Sequence, residues 1–443
     1  MKENRYIRRL SDSALRQFIA DEREHKDVLL VEGARQVGKS RSVENALRHT
    51  SCAAVSINFE RERALMQRVN ACIDFKDFEA VLADELGFEG ASGQVLFIDE
   101  AQESHSLGRF VRFMKEEWRH ATVILTGSSL QRLFRGDTRF PVGRVRRLRI
   151  SPFCFSEYLD AVEQSGLRDV IRGGTAEVPP MRHRALLRHY DDFLRLGGLP
   201  SIICQRAGSA LAPTIADLLA DYADDFVRIL GEKDAAIASA CLAAVANHLG
   251  NACKNTSVSS GASGAKSLRI SEVFSRLEAW HFLLRSEQLS PSPEKSHNYL
   301  PKRYVFDTGI ARYLREAATP SISVLDTLDA DSRKPLGGIL ENQVAIDLAR
   351  QSYDLCGWKR SPSGAEVDFV VKSGSTTMPI ECKAAVQIGR RHIKGVQGYL
   401  AHYDLPVGVV VSFAPYEVFE LTGGRRVVNV PAYRLEDFGV LGK

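Results

Sequence analysis

Apolar residues in the N-terminal third of the chain fall into five short runs bounded by polar or glycine-containing sequence. Short apolar runs of this kind are typical of strands buried in a parallel sheet. The runs are Val28–Val31, Ala53–Phe59, Val95–Ile98, Thr122–Thr126 and Val145–Ile150. Amphipathic helices are predicted before the first run, over residues 5–20, and after it, over residues 41–49. We therefore predict an α/β fold with a parallel sheet here.

In the middle of the chain, apolar residues recur at helical spacing. Helices are predicted at 182–196, 211–230, 235–250 and 270–282, with a Ser-, Gly- and Asn-rich loop at 251–266. Residues 283–303 are predicted to form two strands around a polar turn at 290–294. Three helices followed by a hairpin predict a winged helix. The third helix carries mixed charge, which leaves DNA contact and structural packing as open alternatives.

The C-terminal portion combines helices with strand patterns. A helix that opens at Gly337-Gly338 carries Glu341 in its first turns. The strands Glu366–Val371 and Pro379–Lys383 are separated by a polar turn, so we predict that they pair as a hairpin. A further helix is predicted over 392–402. These elements predict a second α/β domain.

The composition is ordinary for a globular protein. The chain has 443 residues, of which 44% are hydrophobic and 26% charged, with a net charge of +4. This length indicates two to four domains, and the mild charge permits a nucleic-acid partner without arguing for one. No apolar run long enough for a membrane span and no secretory signal are predicted. Eight scattered cysteines favour reduced thiols, so we expect a cytoplasmic protein.

The loop after the first apolar run matches the phosphate-binding pattern G-x-x-x-x-G-K-[S/T]. Its residues are Gly33, Ala34, Arg35, Gln36, Val37, Gly38, Lys39 and Ser40. The glycines let backbone N–H groups turn toward the β- and γ-phosphates, Lys39 adds its charge to the same oxygens, and Ser40 places its hydroxyl on Mg²⁺. A strand before the loop and a helix after it complete the context. The sequence therefore predicts a nucleoside triphosphate site.

Two carboxylates follow the third apolar run. Asp99 and Glu100 stand at the end of a strand whose edge would meet the nucleotide. We expect Asp99 to hold Mg²⁺ through water and Glu100 to polarise the attacking water. The distance from Lys39 along the chain suits adjacent strands of one parallel sheet. After the fourth run, Ser128 either contacts the γ-phosphate or caps the helix that follows.

Four C-terminal residues are predicted to converge. Strand periodicity puts Glu381 and Lys383 on one face, Asp368 lies across from them, and Glu341 reaches in from the helix. Three carboxylates on adjoining elements suit one or two Mg²⁺ ions, which could activate water beside a scissile phosphate. Lys383 would orient that water or neutralise the developing charge. The alternative is that Glu381 and Lys383 only face solvent.

The N-terminal motifs resemble those of the AAA+ ATPases, in particular a prokaryotic group that pairs an ATPase module with a C-terminal domain of uncharacterised function. The resemblance rests on the phosphate loop, Ile98–Gln102, Thr126–Ser129 and Gly143-Arg144. It implies ATP as the nucleotide and a homo-oligomer in which a neighbouring subunit's arginine completes the site. Arg144 is the candidate, with Arg132 and Arg135 as rivals and a solvated basic edge as the alternative. The turn at 196–200 matches the lid region of that group, either as a helix cap or in contact with nucleotide.

The C-terminal residues resemble the PD-(D/E)xK nuclease superfamily and its Holliday-junction-resolvase-like branch. Glu341, Asp368, Glu381 and Lys383 match the four motif positions, and Val367 stands where some members have Pro. The resemblance implies a restriction-endonuclease-like α/β fold and Mg²⁺-dependent cutting. Members of this superfamily can also keep the fold only to bind nucleic acid or to serve a structural role.

These patterns together predict four regions. They are an AAA+ ATPase core at 1–165, a helical lid at 166–232, a winged helix at 233–318 and a PD-(D/E)xK nuclease-like domain at 319–443. The predicted function is ATP hydrolysis that moves or positions DNA for a Mg²⁺-dependent nuclease. The alternative is an ATP-dependent switch or scaffold whose nuclease-like domain binds nucleic acid or a partner without cutting. A third hypothesis, a protein remodeller, is disfavoured by both C-terminal regions.

Overall fold

The computed structural model describes residues 6–134, 140–173, 177–205, 214–259, 264–291, 299–361, 364–374 and 376–437. The chain divides into two compact units, Met1–Ser151 and Pro152–Lys443. The first boundary was predicted after residue 165, and the unit boundary follows Ser151. The boundaries predicted after residues 232 and 318 both fall inside the second unit.

A five-stranded parallel sheet forms the centre of the N-terminal unit, and each predicted apolar run contributes one strand. The strands are β1 (Val28–Glu32), β2 (Ala53–Asn58), β3 (Gln94–Asp99), β4 (Thr122–Thr126) and β5 (Val145–Arg149). Their order is β2-β3-β4-β1-β5. Because all five run in parallel, their carboxyl ends meet at one edge of the sheet, where open α/β sheets bind ligands.

The strand order corrects one expectation. The phosphate loop and Asp99 were expected to follow adjacent strands, which is wrong, since β4 lies between β1 and β3. Ile124 of β4 pairs with Leu29 on one side and with Phe97 on the other. The end of β4 therefore reaches the nucleotide edge between the two motifs.

Five helices accompany this sheet. They are α1 (Asp12–Ala20), α2 (Lys39–Arg48), α3 (Arg63–Ala71), α4 (Phe75–Leu86) and α5 (Leu107–Glu117). Helix α1 begins at Asp12, later than predicted. Aromatic side chains of α4 and α5 stack in the core, where the ring centroids of Phe78 and Phe110 lie 4.7 Å apart. Full burial of such a side chain contributes about 1.5–3 kcal/mol to folding, which fixes these helices against the sheet.

The second unit begins with helices. They are α6 (Phe155–Ala161), α7 (Ser165–Arg172), α8 (Pro180–Leu196), α9 (Pro200–Gln205), α10 (Ile215–Leu230), α11 (Glu232–Asn247), α12 (Asn255–Ser259), α13 (Ser267–Ala279) and, after the hairpin, α14 (Thr308–Leu314). Four of them, α8, α10, α11 and α13, correspond to the predicted helices. Residues 211–213 of the helix predicted over 211–230 lie outside the described residues.

The Gly-Gly turn after α8 is held by a buried carboxylate. Gly198 N donates to Asp307 Oδ2 at 2.7 Å, and Gly197 N donates to Phe193 O at 2.8 Å. A Cβ on Gly197, which has φ of 78°, would lie 2.1 Å from Asp307 Oδ1. Burial raises the pKa of Asp307 to about 6. These contacts make the turn a helix cap, the structural alternative of the two that the sequence left open.

A hairpin links the helical part of this unit to its C-terminal part. Strands β6 (Leu283–Leu289) and β7 (Lys302–Val305) are antiparallel, and residues 292–294 of the predicted turn lie outside the described residues. Strand β6 also pairs in parallel with β8 (Cys356–Lys359), which pairs with β9 (Glu366–Val367). One four-stranded sheet, β7-β6-β8-β9, therefore joins the predicted winged-helix and nuclease-like regions.

A second sheet of five strands follows in the order β10-β11-β12-β14-β13. Its strands are β10 (Phe369–Ser373), β11 (Thr376–Lys383), β12 (Val407–Ser412), β13 (Glu417–Glu420) and β14 (Arg426–Pro431). The predicted hairpin is confirmed, since β10 and β11 are antiparallel. The predicted single strand over 366–371 is instead broken at Asp368, because β9 and β10 belong to different sheets.

Two helices complete the C-terminal part, α15 (Ala330–Arg350) and α16 (Lys394–Tyr403). Helix α15 begins well before Gly337, so Glu341 lies in the middle of a long buried helix and not in its first turns. Short 3₁₀ segments occur at Ala101–Glu103, Leu130–Phe134, Ile322–Thr327, Thr422–Gly424 and Ala432–Asp437. None of the described helices is long and apolar enough to cross a bilayer. All eight cysteines are free thiols.

Candidate functional site

The phosphate loop holds its lysine with its own backbone. Lys39 Nζ donates to the carbonyl oxygens of Gly33 at 3.1 Å and Ala34 at 2.9 Å. Gly33 and Gly38 have φ angles of 151° and 91°, and a Cβ at Gly33 would lie 2.2 Å from the oxygen of Ile150. Burial lowers the pKa of Lys39 to about 8, against the opposing charges of Glu100 and Asp99. The ammonium therefore pairs with no carboxylate of the described residues and is available to phosphate.

Asp99 is surrounded by neutral donors. Its Oδ1 accepts from Ser40 Oγ at 2.8 Å, from the hydroxyl of Thr126 and from the backbone N–H of Glu100 at 3.1 Å. Its Oδ2 accepts from Asn58 Nδ2 at 2.9 Å. These bonds fix the carboxylate without neutralising its charge. The structure thus brings together Ser40 and Asp99, the two residues predicted to hold Mg²⁺.

A hydrogen bond from Gln102 holds the side chain of Glu100 just after the end of β3. Its φ of 51° turns the chain directly after β3, and Gln102 Nε2 donates to Glu100 Oε2 at 2.5 Å. Burial raises the pKa of Glu100. Gln102 Oε1 is itself buried and has no hydrogen-bond partner among the described residues. Space for this amide exists because residue 127 is Gly, where a Cβ would come within 1.9 Å of Gln102 Oε1.

The remaining predicted residues of this unit lie at different edges of the sheet. Ser128 follows β4 and is half-buried, but the contact with Asp99 comes from Thr126. Arg144 precedes β5 at the edge opposite the phosphate loop and pairs with Glu116, with Nη2 2.9 Å from Oε1. Arg132 lies in the 3₁₀ segment after β4, at the nucleotide edge. Arg135 lies outside the described residues.

Sequence reasoning missed four residues of this site. Asn58 and Thr126 end the strands on either side of β3, so the rule that ligands bind at carboxyl ends of strands could have found both. Gln102 was within a quoted motif but had no role assigned. Arg9 is buried and donates from Nη1 to Val37 O at 3.0 Å, which braces the phosphate loop. No sequence signal marked it.

The carboxylates of the C-terminal portion converge on a lysine outside the predicted motif. Lys302 Nζ lies 2.9 Å from Glu341 Oε1, 2.7 Å from Glu366 Oε1 and 3.3 Å from Asp368 Oδ1. Tyr304 OH donates to the same oxygen of Glu341 at 2.8 Å. Lys302 is 1% exposed. Two of the predicted carboxylates therefore meet, with an ammonium between them.

Glu381 and Lys383 form a second pair beside this cluster. Lys383 Nζ lies 2.5 Å from Glu381 Oε1, while Glu381 Oε2 is buried and lacks a hydrogen-bond partner among the described residues. Asp368 Oδ2 accepts from the backbone N–H of Cys382 at 2.9 Å, so β11 fixes this carboxylate. The strand break at Asp368 turns its side chain between the two sheets. Glu381 and Lys383 thus do not simply face solvent, which excludes the alternative reading.

The charges of this cluster depend on one another. Burial and then the charge of Asp368 raise the pKa values of Glu341 and Glu381. Burial alone would lower the pKa of Lys302, but the charges of Glu341 and Asp368 raise it well above its ordinary value. The charge of Glu381 likewise raises the pKa of Lys383 against its burial. The ionised forms of the two glutamates are therefore disfavoured even with Lys302 and Lys383 beside them, whereas the carboxylates hold both lysines in their charged form.

The two sites differ in their fitness for Mg²⁺. Mg²⁺ is usually held by one or two protein oxygens together with substrate phosphates, and Ser40 with Asp99 fits that requirement. In the C-terminal cluster the ammonium of Lys302 takes the central position. Across the described ranges, no group of three or more His, Cys, Asp or Glu side chains is arranged to hold a metal ion. As arranged, the C-terminal residues do not fit the predicted metal.

Lys302 and Tyr304 were missed because their partners are distant in sequence. Both belong to the run that was assigned to the end of the winged-helix hairpin. The only local signal is that two polar-headed side chains alternate along a short strand and so share a face. Nothing in the run itself indicates that this face meets Glu341.

Three family models match separate parts of the chain. Residues 25–159 match an AAA domain, residues 187–321 match a domain of unknown function, DUF8612, and residues 336–433 match another, DUF4143. The AAA match covers the phosphate loop, Asp99 and Glu100. The N-terminal unit is therefore an ATP-binding P-loop domain of the AAA type. No curated protein matches the chain.

Solved structures that match this chain share few identical residues with it. A Walker-type ATPase of Pyrococcus abyssi is 16% identical, with 70% of this chain and 96% of that chain covered and a TM-score of 0.45. Cdc6p of Pyrobaculum aerophilum is 15% identical, with 64% of this chain and 89% of that chain covered and a TM-score of 0.27. RuvB of Thermotoga maritima, a Holliday junction branch migration motor, is 16% identical, with 59% of this chain and 82% of that chain covered and a TM-score of 0.26.

Proposed function

We propose that this chain hydrolyses ATP with Mg²⁺ at the carboxyl edge of its N-terminal sheet and uses the turnover to switch the state of its C-terminal unit. The observation that carries the proposal is the separation of opposite charges at this edge. Within the described part of the chain, Lys39 donates to backbone carbonyls alone and Asp99 accepts from neutral donors alone. Both charges are therefore available to MgATP.

Each residue then has a definite task. Lys39 leaves the carbonyls of Gly33 and Ala34 for the phosphate oxygens, and Ser40 with Asp99 would hold Mg²⁺, which neutralises charge on the phosphates. Glu100 accepts the proton of the attacking water, and its raised pKa brings it closer to neutral operating conditions. Gln102 holds Glu100 in position and offers its free Oε1 to the same water.

Steady-state ATP turnover by the purified full-length chain tests this proposal. Lys39→Ala is expected to lower turnover at least about 100-fold, because removing a preorganised charge from a phosphate site costs several kcal/mol in the transition state. Lys76→Ala, an exposed lysine on α4, is the matched control and should leave turnover unchanged. Wild type without turnover, or Lys39→Ala with normal turnover, would refute ATP hydrolysis at this loop.

For the C-terminal unit we propose binding without cutting, and the predicted partner is DNA. The nuclease prediction has one supporting contact, the pairing of Lys383 with Glu381 beside a free carboxylate oxygen. The central position of Lys302 weighs against it, and no cleavage step is assigned to these residues. Plasmid and branched DNA incubated with Mg²⁺ or Mn²⁺ should remain intact. If wild type cuts DNA and Glu381→Ala abolishes this activity, the proposal of binding without cutting is contradicted and the nuclease prediction is supported.

The assembly and the partner have separate tests. We propose a homo-oligomer that forms with ATP, and light scattering with Glu100→Gln and ATP should show a mass above that of one chain.

Arg132 and Arg144 remain the arginines proposed to complete the site of a neighbouring subunit, and substitution of the acting one should lower turnover without weakening ATP binding. DNA binding should change between the ATP and ADP states and weaken with salt.

A further inference from the structure

We propose that Lys302 is the resident cation of the C-terminal carboxylate cluster and that it occupies the place of a divalent metal. The inference deepens the proposed binding role of this unit, but its contacts and its test are independent of ATP hydrolysis. The cluster consists of Lys302 with Glu341, Glu366 and Asp368, and Glu381 lies beside it with Lys383.

Lys302 donates hydrogen bonds to Glu341 and Asp368 and forms an ion pair with Glu366. An ammonium has three N–H groups, and three carboxylate oxygens lie 2.7, 2.9 and 3.3 Å from Nζ. The oxygens come from α15, from β9 and from the break between β9 and β10. Three separate elements therefore direct one oxygen each at the same cation, which is what a metal site requires of its ligands.

The element that carries Lys302 keeps it there. Strand β7 pairs with β6 through Ser286 and Lys302, so the backbone of Lys302 is fixed in a sheet. Tyr304, two residues on, points to the same side and donates to Glu341. Lys302 and Tyr304 are 1% and 0% exposed, so both side chains are shielded from solvent.

A divalent ion cannot join this arrangement beside Lys302. A cation bound to Glu341 and Asp368 would lie within a few ångströms of Nζ, where like charges repel strongly even at the effective dielectric of a protein interior. Among the described residues of the cluster, the buried oxygen without a hydrogen-bond partner is Glu381 Oε2, and the other oxygen of that carboxylate already pairs with Lys383. Metal would bind only after Lys302 is removed.

This arrangement gives the motif carboxylates a task other than catalysis. They fasten the hairpin strand β7 to α15 and to the strands on both sides of Asp368. The predicted winged-helix and nuclease-like regions therefore share one ion cluster. Any movement of the hairpin would separate Lys302 from its three carboxylate partners. The free-energy cost of that separation holds the hairpin against the C-terminal sheet.

The test is a calorimetric titration of Mn²⁺ into the nucleotide-free full-length chain. Wild type and Asp368→Asn are expected to give the same isotherm, because the cluster binds no metal. Lys302→Met should gain one Mn²⁺ site, and the double variant Lys302→Met, Asp368→Asn should lose it. Lys359→Met is the matched control and should gain no site, since Lys359 Nζ lies 2.9 Å from Glu366 Oε2 and pairs with no other carboxylate of the described residues.

Thermal unfolding supplies a second readout. Mn²⁺ at about 100 times its dissociation constant should raise the melting temperature of Lys302→Met by about 5 °C and leave wild type unchanged. A folded Lys302→Met that gains no Mn²⁺ site overturns the proposal. So does a Mn²⁺ site in wild type that Asp368→Asn removes, and this result decides the question even if Lys302→Met does not fold. ATP turnover, measured on the same samples, reports on the N-terminal proposal separately.

Discussion

Two lysines of this chain lie beside carboxylates in opposite ways. Lys39 contacts backbone carbonyls only, and the nearby Asp99 accepts from hydroxyl, amide and backbone donors. Lys302 instead contacts three carboxylate oxygens directly. The first arrangement leaves a positive and a negative charge open to a ligand, whereas in the second the ammonium is already paired with carboxylates of the protein.

The direction of the pKa shift follows this difference. Burial lowers the pKa of Lys39 to about 8, because no carboxylate touches it. The pKa of Lys302 is raised, because the charges of Glu341 and Asp368 outweigh the effect of its burial. Burying the charge of Lys39 costs free energy in the protein without ligand, whereas the carboxylates around Lys302 offset the cost of burying its charge.

Stability should separate the two lysines most strongly. Lys302→Ala leaves the buried carboxylates of Glu341 and Asp368 and the partly exposed Glu366 without this cation, so it should lower the free energy of unfolding by about 3–5 kcal/mol. Lys39→Ala removes a desolvated charge and should change that free energy by less than about 1 kcal/mol. Denaturant unfolding followed by tryptophan fluorescence measures both, with Lys76→Ala as the reference. Equal stability of the two variants would erase the proposed distinction.

The next largest effect concerns Glu100. Glu100→Gln should lower ATP turnover at least about 100-fold while leaving ATP affinity within about threefold, because the carboxylate acts on the attacking water and not on the bound phosphates. Turnover assays and equilibrium binding of labelled ATP give the two values. A parallel loss of affinity would assign Glu100 to binding.

Gln102 should produce a smaller effect of the same kind. Gln102→Ala frees Glu100 from its hydrogen bond and should lower kcat about tenfold with KM nearly unchanged. Gln17→Ala, an exposed glutamine on α1, is the control. If Gln102 only filled space, Gln102→Met would restore the wild-type kcat, and that recovery would contradict its positioning role.

The smallest expected effect is the uptake of protons when ATP binds. Lys39 with a pKa of about 8 is half deprotonated at pH 8, and bound phosphates raise its pKa, so ATP binding should take up about half a proton at that pH. Below pH 7 the lysine is already charged and the uptake should vanish. Calorimetry in two buffers of different ionisation enthalpy measures it. Binding heats independent of buffer at pH 8 would place the pKa elsewhere.

The sequence predicted local features well and long-range ones poorly. All five strands of the first sheet follow from apolar runs, and the phosphate loop and Asp99 follow from motifs read within a few residues. The position of β4 between β1 and β3 depends on how strands pair, which no run reveals. Thr126 was consequently overlooked in favour of Ser128.

The C-terminal site shows the same limit. The spacing of Glu381 and Lys383 correctly predicted that they share a face, because strand periodicity is local. Lys302 stands far from Glu341 and Asp368 along the chain, and only the folded hairpin brings its ammonium between them. A motif records which ligands are present but not which cation they hold.

The most direct test counts Mn²⁺ ions per chain by electron paramagnetic resonance, with and without ATP, in the Glu100→Gln variant that retains nucleotide. We expect one ion that appears only with ATP, is lost in the additional variant Asp99→Asn and is unaffected by Glu381→Gln. An ion bound without ATP and lost on Glu381→Gln would show a metal site in the C-terminal cluster and contradict the account.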